Sequence, residues 1–306
     1  MIGVAGLTPA WQQIMVFDDL QANEVNRAKE IHWCASGKVL NCGLAIHRLK
    51  GGVVTFSPAG GINGNAMKQS FLSSGARAIW IDSEVETRVC TTLISHADNS
   101  ITELVENSRG IPTRELDAYL RCFAQSAGEL SLLVVTGSLP DGTDPGYYRE
   151  ILKRSPVPAI CDFRGPGLLA CLDLHPLLVK PNRAELETTL GRKLDNEKEL
   201  LAGMRELIEA GAQWVLITQG AGEILLASET ESFKYSPLEV PVVNSIGCGD
   251  CFTAGLAWAI DQGKSIPDAV PFGIAAAADN LQQLLPALLD PQRVTELAKQ
   301  VVQLDV

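Results

Sequence analysis

The stretch VVNSIGCGDCFTAGLAWAI (242–260) brings together the residue types that phosphoryl transfer needs. A short extended segment, Val240–Val243, leads through a glycine-rich turn to an apolar helix that Asp250 opens. Glycines allow a close approach of the backbone, and unpaired amides at a helix N-terminus attract anions. A carboxylate there can take the proton of a hydroxyl that attacks a bound phosphate. The turn predicts an anion site with its own general base; the alternative is that Asp250 only caps the helix.

The same turn holds Cys248 and Cys251 in the CxxC spacing of redox and zinc sites. A structural zinc site needs four ligands, but no second CxxC is present and the four histidines are scattered at positions 32, 47, 96 and 175. A thioredoxin-like motif would follow an early strand of a much smaller fold. We predict neither site, and leave open a single low-pKa cysteine, because helix N-termini favour thiolates.

Strand-like apolar runs alternate with helical patterns along the chain and must position this turn. Continuous apolar strands in such an alternation indicate a mostly parallel sheet with helices on both faces. The predicted strands are Met1–Leu7, Val53–Phe56, Ala78–Ile81, Leu132–Thr136, Ala159–Phe163, Leu177–Lys180, Trp214–Thr218 and Ile224–Ala227. The predicted helices are Lys38–Leu49, Asn65–Ser73, Thr113–Gln125, Glu197–Ala210, Asp250–Asp261, Ile266–Leu281 and Pro291–Val302.

Two regions, 11–34 and 86–106, carry β-prone segments without crossover helices. They predict antiparallel strands outside the main sheet, which could pair with each other as a small flap. The sequence shows no internal repeat and no linker that would divide it, so we expect a single domain over residues 1–306.

The composition narrows the class of function. The 306 residues are 46% hydrophobic and carry a net charge of −11, which argues against nucleic acid and anionic membranes as main partners. No run of 18 apolar residues occurs, and the N-terminus lacks the basic region of a signal peptide. The eight cysteines are sparse and unclustered, so we expect a protein of the reducing cytoplasm.

Five motifs in order resemble those of the ribokinase-like carbohydrate kinases, in their phosphofructokinase B branch. GCGD (247–250) is similar to GAGD, KPNRAEL (180–186) to KPN-x-x-EL, and TGSLPDG (136–142) to SGSLP-x-G. NEVNRAKEIHWCASGKVLN (23–41) resembles GEVNR…AGGKGIN, and TRVC (87–90) with TELVE (102–106) resembles TRNC…TEILE. The ordered set is most similar to the tagatose-6-phosphate kinase and 1-phosphofructokinase members.

The resemblance implies an α/β ribokinase-like fold, a doubly wound sheet with a small β-sheet lid from about 11–35 and 86–107. It implies ATP and Mg²⁺ as cofactors, with Asp250 as base and Gly247, Cys248 and Gly249 as the anion hole. Lys38 and Arg88 would hold the phosphate of the substrate, with Gln12, Gly37, Asn41 and Ser138 around the acceptor. Asn182, Thr218, Gly220, Gly249 and Asn280 would contact the nucleotide, and Glu185 would reach Mg²⁺ through water. For Asn182 and Glu185, which share a helix face, the alternative is a favourable helix start.

Departures from the family pattern concentrate on the sugar side. Gln12 stands where the family has the Asp that holds sugar hydroxyls, and it donates as well as accepts hydrogen bonds. In the AGGKGIN motif the first glycine is Ser36 and the last is Val39, and Val89 replaces the Asn usual after TR. The base, the anion hole and N-x-x-E are intact, so we expect conserved phosphoryl-transfer chemistry with an altered acceptor.

These features predict an ATP-dependent kinase of a phosphorylated ketohexose, of the tagatose-6-phosphate or fructose-phosphate type. One alternative is a kinase of an unphosphorylated sugar or nucleoside, and another is a non-catalytic sensor of sugar phosphate or nucleotide. Exposed apolar residues of the lid predict a homodimer through the lid. The residues in question are Trp11, Ile14, Val16 and Trp33.

Overall fold

The computed structural model describes residues 1–305, in which strands and helices alternate as the sequence predicts. The strands are β1 (Ile2–Ala5), β2 (Ala10–Phe17), β3 (Glu30–Ser36), β4 (Val53–Gly60), β5 (Ala78–Ser83), β6 (Val89–Ser95), β7 (Ser100–Val105), β8 (Leu132–Thr136), β9 (Ala159–Asp162), β10 (Leu178–Val179), β11 (Val215–Ile217), β12 (Ile224–Ala227), β13 (Ser232–Tyr235) and β14 (Gln303–Leu304). The helices are α1 (Lys38–Arg48), α2 (Gly61–Ser73), α3 (Thr113–Ser126), α4 (Tyr147–Lys153), α5 (Pro166–Leu169), α6 (Arg183–Leu190), α7 (Glu197–Glu209), α8 (Cys248–Asp261), α9 (Ile266–Leu281) and α10 (Pro291–Ala298).

The main sheet has ten strands in the order β14-β13-β12-β11-β10-β9-β8-β1-β4-β5. The strands from β11 to β5 in this order run parallel, and β12, β13 and β14 continue the sheet antiparallel at one edge. The order reverses beside β1, because the chain builds outward through β4 and β5 and then returns to β8 on the other side. Open sheets of this kind bind ligands beyond the carboxyl ends of their strands near such a reversal. The predicted doubly wound fold is confirmed.

Two hydrophobic cores enclose the sheet because successive side chains of a strand point to opposite faces. In β8, Val134 joins the core of α1, α8 and α9, whereas Val135 joins the core of α3, α4 and α7. Helices α8 and α9 pack closely at Gly255, where a Cβ atom would lie 2.4 Å from the Phe272 carbonyl oxygen. This packing fixes the start of α8, which carries Asp250.

A second, smaller sheet has the order β3-β2-β6-β7. Strands β2 and β3 pair antiparallel, as do β6 and β7, but β2 and β6 pair in parallel. The prediction of antiparallel strands is right within each hairpin and wrong at the junction of the two. Tight turns make neighbouring strands antiparallel, whereas no local turn sets the pairing of segments far apart in sequence.

The two faces of the smaller sheet differ in exposure. One face carries, in order across the sheet, Trp33, Gln13, Thr91 and Leu104. On this face Trp33 is 43% and Leu104 53% exposed. The expectation that Ile14 and Val16 are exposed is wrong. They are 0% and 3% exposed because they belong to the other face. Trp11 is half-buried and stacks on Trp33.

Some predicted boundaries also shift. Val240–Val243 is coil rather than strand, and α8 begins at Cys248, so that Asp250 lies within its first turn. The last predicted helix ends at Ala298, and the chain then adds β14 to the sheet edge beside β13. Among the described residues, no helix has the length and apolarity that crossing a membrane requires.

Candidate active site

A cavity of about 210 Å³ lies where the smaller sheet meets the start of α1 and the turn before α8. It gathers residues that are far apart in sequence, and several of them are predicted site residues. The residues lining it are Ala10, Gln12, Ser36, Gly37, Lys38, Asn41, Arg88, Cys90, Glu103, Val105, Ile246, Gly247 and Asp250.

The glycine turn presents backbone amides at the N-terminus of α8. Gly247 adopts the left-handed conformation, with φ 77° and ψ 2°, and precedes the first helical residue. Within residues 1–305, no acceptor pairs with the backbone N–H of Gly249 or of Asp250. Gly249 is exposed, and nothing lies within 4 Å of a Cβ atom built on it. The turn therefore offers two free N–H donors and an unobstructed approach for an anion.

Asp250 is buried beside these amides, with 7% of its surface exposed. Its Oδ2 accepts a 2.8 Å hydrogen bond from Asn41 Nδ2. Burial raises the pKa of Asp250, the neighbouring Asp162 raises it further, and Lys38, Asn41 and Lys180 only partly oppose the rise. A carboxylate with raised proton affinity is a better general base near neutral pH than an ordinary aspartate.

Lys38 lies between carboxylates rather than free in the cavity. Its Nζ donates to Asp162 Oδ1 and to Glu185 Oε1, both at 3.2 Å. Burial lowers the pKa of Lys38, but Asp162, Glu185 and Asp250 outweigh it and hold the pKa well above its usual range. One of its three N–H donors remains for a ligand. Lys38 therefore lies near Asp162, Glu185 and Asp250, and a substrate phosphate bound to Lys38 would share it with these carboxylates.

Asp162 is a site residue that the sequence-based prediction missed. It ends β9, is fully buried, and accepts a 2.8 Å hydrogen bond from Thr253 Oγ1 of α8. Lys180, directly after β10, lies 3.4 Å from its Oδ1. Burial raises the pKa of Asp162, but Lys180 and Lys38 outweigh burial and hold it below the usual value. The sequence did contain a signal for Asp162: it is an acidic residue near the carboxyl end of a predicted strand, where α/β sheets bind ligands.

Asn182 and Glu185 form a complete capping box at the start of α6. The Asn182 side chain accepts from the Glu185 N–H at 2.8 Å, and Glu185 Oε2 accepts from the Asn182 N–H at 2.9 Å. The two residues therefore do stabilise the start of a helix, as the alternative interpretation predicted. Glu185 Oε1 in addition forms an ion pair with Lys38. Among the described residues, no three His, Cys, Asp or Glu side chains cluster as metal ligands. Mg²⁺ commonly keeps several waters and uses substrate phosphates, so the site fits contact through water only.

Gln12 lines the cavity, and groups of the protein engage its amide nitrogen. Its Nε2 donates to Thr92 Oγ1 at 2.8 Å and to the Gln13 carbonyl at 3.2 Å. A carbonyl only accepts, so this contact fixes which end of the amide is nitrogen. Both N–H donors are used, and within residues 1–305 no donor pairs with Oε1. Gln12 thus donates to groups of the protein, and its uncharged acceptor Oε1 is left for a ligand.

Arg88 lines the cavity but is already partly engaged. Its guanidinium donates to the backbone carbonyls of Pro9, Thr8 and Glu106 at 3.3, 3.0 and 3.1 Å. Arginine has five N–H donors, so two remain for an anion. These contacts also hold the start of β2 against β7, because Pro9 precedes one strand and Glu106 follows the other.

Eight predicted site residues do not line the cavity: Cys248, Gly249, Ser138, Asn182, Glu185, Thr218, Gly220 and Asn280. Ser138 is exposed beyond β8, 3.5 Å from Thr8 Oγ1, and Thr218 and Gly220 follow β11 at the carboxyl edge. Asn280 is 1% exposed; its Nδ2 donates to the Ile246 carbonyl and its Oδ1 accepts from the Ala287 N–H. Its amide ties α9 to the glycine turn, and a position of Asn280 near adenine stays a prediction.

The cysteines of the turn are neutral thiols. Burial raises the pKa of Cys248 to about 11, and Cys251 is fully buried with a pKa well above its usual value. All eight cysteines, which lie within the described residues, are free. The raised pKa values argue against the low-pKa cysteine that the sequence left open.

Comparison with known proteins matches residues 9–292 to the pfkB family of carbohydrate kinases. The chain is 30% identical over 279 residues to the 1-phosphofructokinase of Borreliella burgdorferi, covering 90% of each protein. A possible 1-phosphofructokinase from Thermotoga maritima superposes with a TM-score of 0.91 at 19% identity over all of both chains. Escherichia coli phosphofructokinase-2 in complex with fructose-6-phosphate gives a TM-score of 0.86 at 20% identity, covering 98% of this chain and 99% of that one.

Proposed function

Because the chain belongs to the pfkB family of carbohydrate kinases, we propose that it transfers the γ-phosphoryl group of ATP to a phosphorylated ketohexose. The acceptor would be of the fructose-phosphate or tagatose-6-phosphate type. The observation that carries the proposal is the buried Asp250 beside the two unpaired amides of the turn, on the wall of a cavity that Lys38 and Arg88 also line.

In the proposed reaction the acceptor hydroxyl lies against Asp250. Asp250 takes its proton as the acceptor oxygen forms a bond to the γ-phosphorus, and the bond from phosphorus to the leaving oxygen breaks with its electron pair staying on ADP. The N–H groups of Gly249 and Asp250 and the ammonium of Lys38 face the charge on the transferred group. The hydrogen bond from Asn41 keeps one oxygen of Asp250 oriented.

The residues around the glycine turn support ATP and Mg²⁺ as the cofactors. The free amides and the open approach at Gly249 suit nucleotide phosphates, with Asn182, Thr218 and Gly220 along the same sheet edge. Mg²⁺ would be held mainly by those phosphates, with Glu185 in contact through water, and it would neutralise phosphate charge.

A phosphorylated acceptor is supported by the donors that remain. Arg88 keeps two N–H groups and Lys38 keeps one, and both residues line the cavity. The relatives named 1-phosphofructokinase, and the bound fructose-6-phosphate of the Escherichia coli enzyme, point to the same class. We propose that the smaller sheet acts as a lid, excluding water while the acceptor is bound.

We also propose that two copies associate through the smaller sheet, on the face opposite the cavity. Trp33 and Leu104 are exposed there, and Ile31, on the same face, is 53% exposed. A cytoplasmic location stays a prediction, which the eight free cysteines support.

The test is ADP release with ATP and Mg²⁺ across fructose 1-phosphate, fructose 6-phosphate, tagatose 6-phosphate, free sugars and nucleosides. We expect one ketohexose phosphate to react, and Asp250→Asn to lower kcat by about 10²–10⁴-fold, the usual contribution of a general base. The exposed Asp117→Asn on α3 is the matched control.

The melting temperature separates loss of the base from loss of the fold. Burial raises the pKa of Asp250, so its ionised form costs stability above that pKa, and Asp250→Asn should melt no lower than wild type at neutral pH. Turnover only with unphosphorylated acceptors would favour a sugar or nucleoside kinase. ATP binding without turnover on any acceptor would favour the sensor.

A further inference from the structure

Ser36, Asn41 and Asp250 form a buried chain of hydrogen bonds that ends on the proposed base. Ser36 Oγ donates to Asn41 Oδ1 at 3.1 Å, and Asn41 Nδ2 donates to Asp250 Oδ2 at 2.8 Å. The three residues are 2%, 2% and 7% exposed. Buried groups of this kind depend on one another, because water does not replace a lost partner freely.

The backbone places Ser36 and Asn41 on the two sides of one turn. Ser36 ends β3, Gly37 follows with φ 88°, and α1 begins at Lys38, so Asn41 lies one helical turn further on. A Cβ atom at Gly37 would lie 2.8 Å from the Thr8 carbonyl oxygen, which keeps this turn tight. Asn41 also lies against the glycine turn, since its Nδ2 is 3.3 Å from the position of a Cβ atom on Gly247.

The direction of these hydrogen bonds depends on Ser36. The ionised carboxylate of Asp250 only accepts, so Asn41 must turn its Nδ2 towards it. Asn41 Oδ1 then points away and needs a donor, which the Ser36 hydroxyl supplies. Without that hydroxyl, Oδ1 is buried without a donor, and the orientation that serves Asp250 loses its support.

We propose that Ser36 is a positioning residue of this kinase, which acts through Asn41 to keep Asp250 ionised and aimed at the acceptor hydroxyl. The proposal rests on the proposed function, because only a base needs this arrangement. In the AGGKGIN motif that residues 35–41 resemble, the position of Ser36 is glycine, which has no hydroxyl to donate. The hydrogen bond from Ser36 is therefore not part of that motif.

Other groups around Asp250 also set its proton affinity and must stay constant in the test. Lys38 of α1, Asp162 of β9 and Lys180 after β10 are the charged neighbours. The thiols of Cys42, Cys248 and Cys251 also face Asp250, and their pKa values are all raised. None of these groups contacts Ser36 through a hydrogen bond among the described residues, so a change at Ser36 leaves them in place.

The experiment compares wild type with Ser36→Ala and with Ser36→Thr, which keeps the hydroxyl. The kcat and KM values are measured against pH, with the acceptor that the panel identifies. In Ser36→Ala we expect a kcat about three- to tenfold lower, the scale of one neutral hydrogen bond. The acid limb of the profile of kcat against pH should move to higher pH by about half a unit or more, while KM for ATP stays the same. Ser36→Thr should restore both values.

The controls isolate the role of the hydroxyl. Ser57→Ala removes another buried strand hydroxyl, whose partner is the Pro58 carbonyl, and should leave the pH profile unchanged. In an Asn41→Ala background, Ser36→Ala should cause no further loss, because both act through one contact. If Ser36→Ala lowers kcat in that background by the same factor as in wild type, Ser36 does not act through Asn41.

The two proposals fail in different ways. If wild type turns over an acceptor and Ser36→Ala keeps its kcat and acid limb, the positioning role is wrong and the kinase function stands. If Ser36→Thr is as impaired as Ser36→Ala, the effect belongs to packing, and the positioning role is again wrong. If wild type turns over no acceptor in the panel, both proposals fall.

Discussion

At the scale of single residues, the site separates two aspartates by their surroundings. Asp162 contacts two lysines and Thr253, which hold its pKa low, whereas Asp250 has no ion pair among the described residues and its pKa is raised. Titratable groups whose environments push their pKa values apart are typical of acid–base sites. The contrast supports the proposed proton-accepting role of Asp250, with Asp162 as a negative charge that contacts the two lysines.

Gln12 gives the first prediction at this scale. Gln12→Met keeps the length of the side chain and removes the Oε1 acceptor, so the acceptor substrate loses one hydrogen bond. We expect its KM to rise about three- to tenfold, from roughly 1 kcal/mol, with KM for ATP unchanged. Steady-state kinetics check this. Gln13→Met, on the opposite face of β2, is the control. Equal KM values for Gln12→Met and wild type would contradict a contact at Gln12.

At the scale of elements, the start of α8 decides whether the amides are available. Gly247 takes a left-handed conformation that side-chain-bearing residues adopt at a cost, and Gly249 is helical with open space in front of it. The two glycines therefore serve different needs. One shapes the turn, and the other leaves room for a ligand.

The pair Gly247→Ala and Gly249→Ala separates these needs. At 247 a Cβ atom would lie 3.0 Å from Pro286 Cβ and 3.3 Å from Asn41 Nδ2. We expect a loss of about 1–2 kcal/mol in stability from the strained conformation, and a kcat at least tenfold lower from the displaced Asn41, on the order of one charged hydrogen bond. Gly249→Ala should melt no lower than wild type, because alanine favours the helix, yet should lose activity.

Thermal melting and ADP release measure both variants. Full activity in Gly249→Ala would contradict an approach of phosphate at that position. Unchanged stability in Gly247→Ala would mean that the turn relaxes around the added methyl group.

At the scale of the whole molecule, one face of the smaller sheet lines the cavity and the opposite face is exposed to solvent. Gln12, Cys90, Glu103 and Val105 line the cavity, whereas Ile31, Trp33 and Leu104 are exposed on the opposite face. Exposed apolar residues in contiguous strands mark association sites. A sheet held from behind by a second copy would also be a firmer lid.

Association is checked by light scattering. Wild type at micromolar concentration should have twice the mass of one chain, and Trp33→Asp should shift the mass towards one chain, because a buried charge opposes the contact. Val242→Asp, at a residue that is 60% exposed outside the smaller sheet, is the matched control. A wild-type mass of one chain would contradict the proposed assembly.

The sequence by itself determined the fold class and most elements. The strands Leu132–Thr136 and Ile224–Ala227 and the helix Ile266–Leu281 lie where the periodicity predicts them, because buried strands and amphipathic helices repeat with different periods. The two-residue strand β14 was missed, since its pairing with β13 depends on a distant partner. The parallel junction of β2 with β6 was missed for the same reason.

For the site, the sequence supplied residues and only the tertiary structure decided their contacts. Lys38 and Arg88 were identified as cations, but their partners, two carboxylates and three carbonyls, come from segments far along the chain. The sequence did not show that the Asn280 amide holds the glycine turn, because its partners, the Ile246 carbonyl and the Ala287 N–H, are set by the packing of α9. A motif fixes which groups are present, whereas burial and neighbours fix which atoms remain free to react.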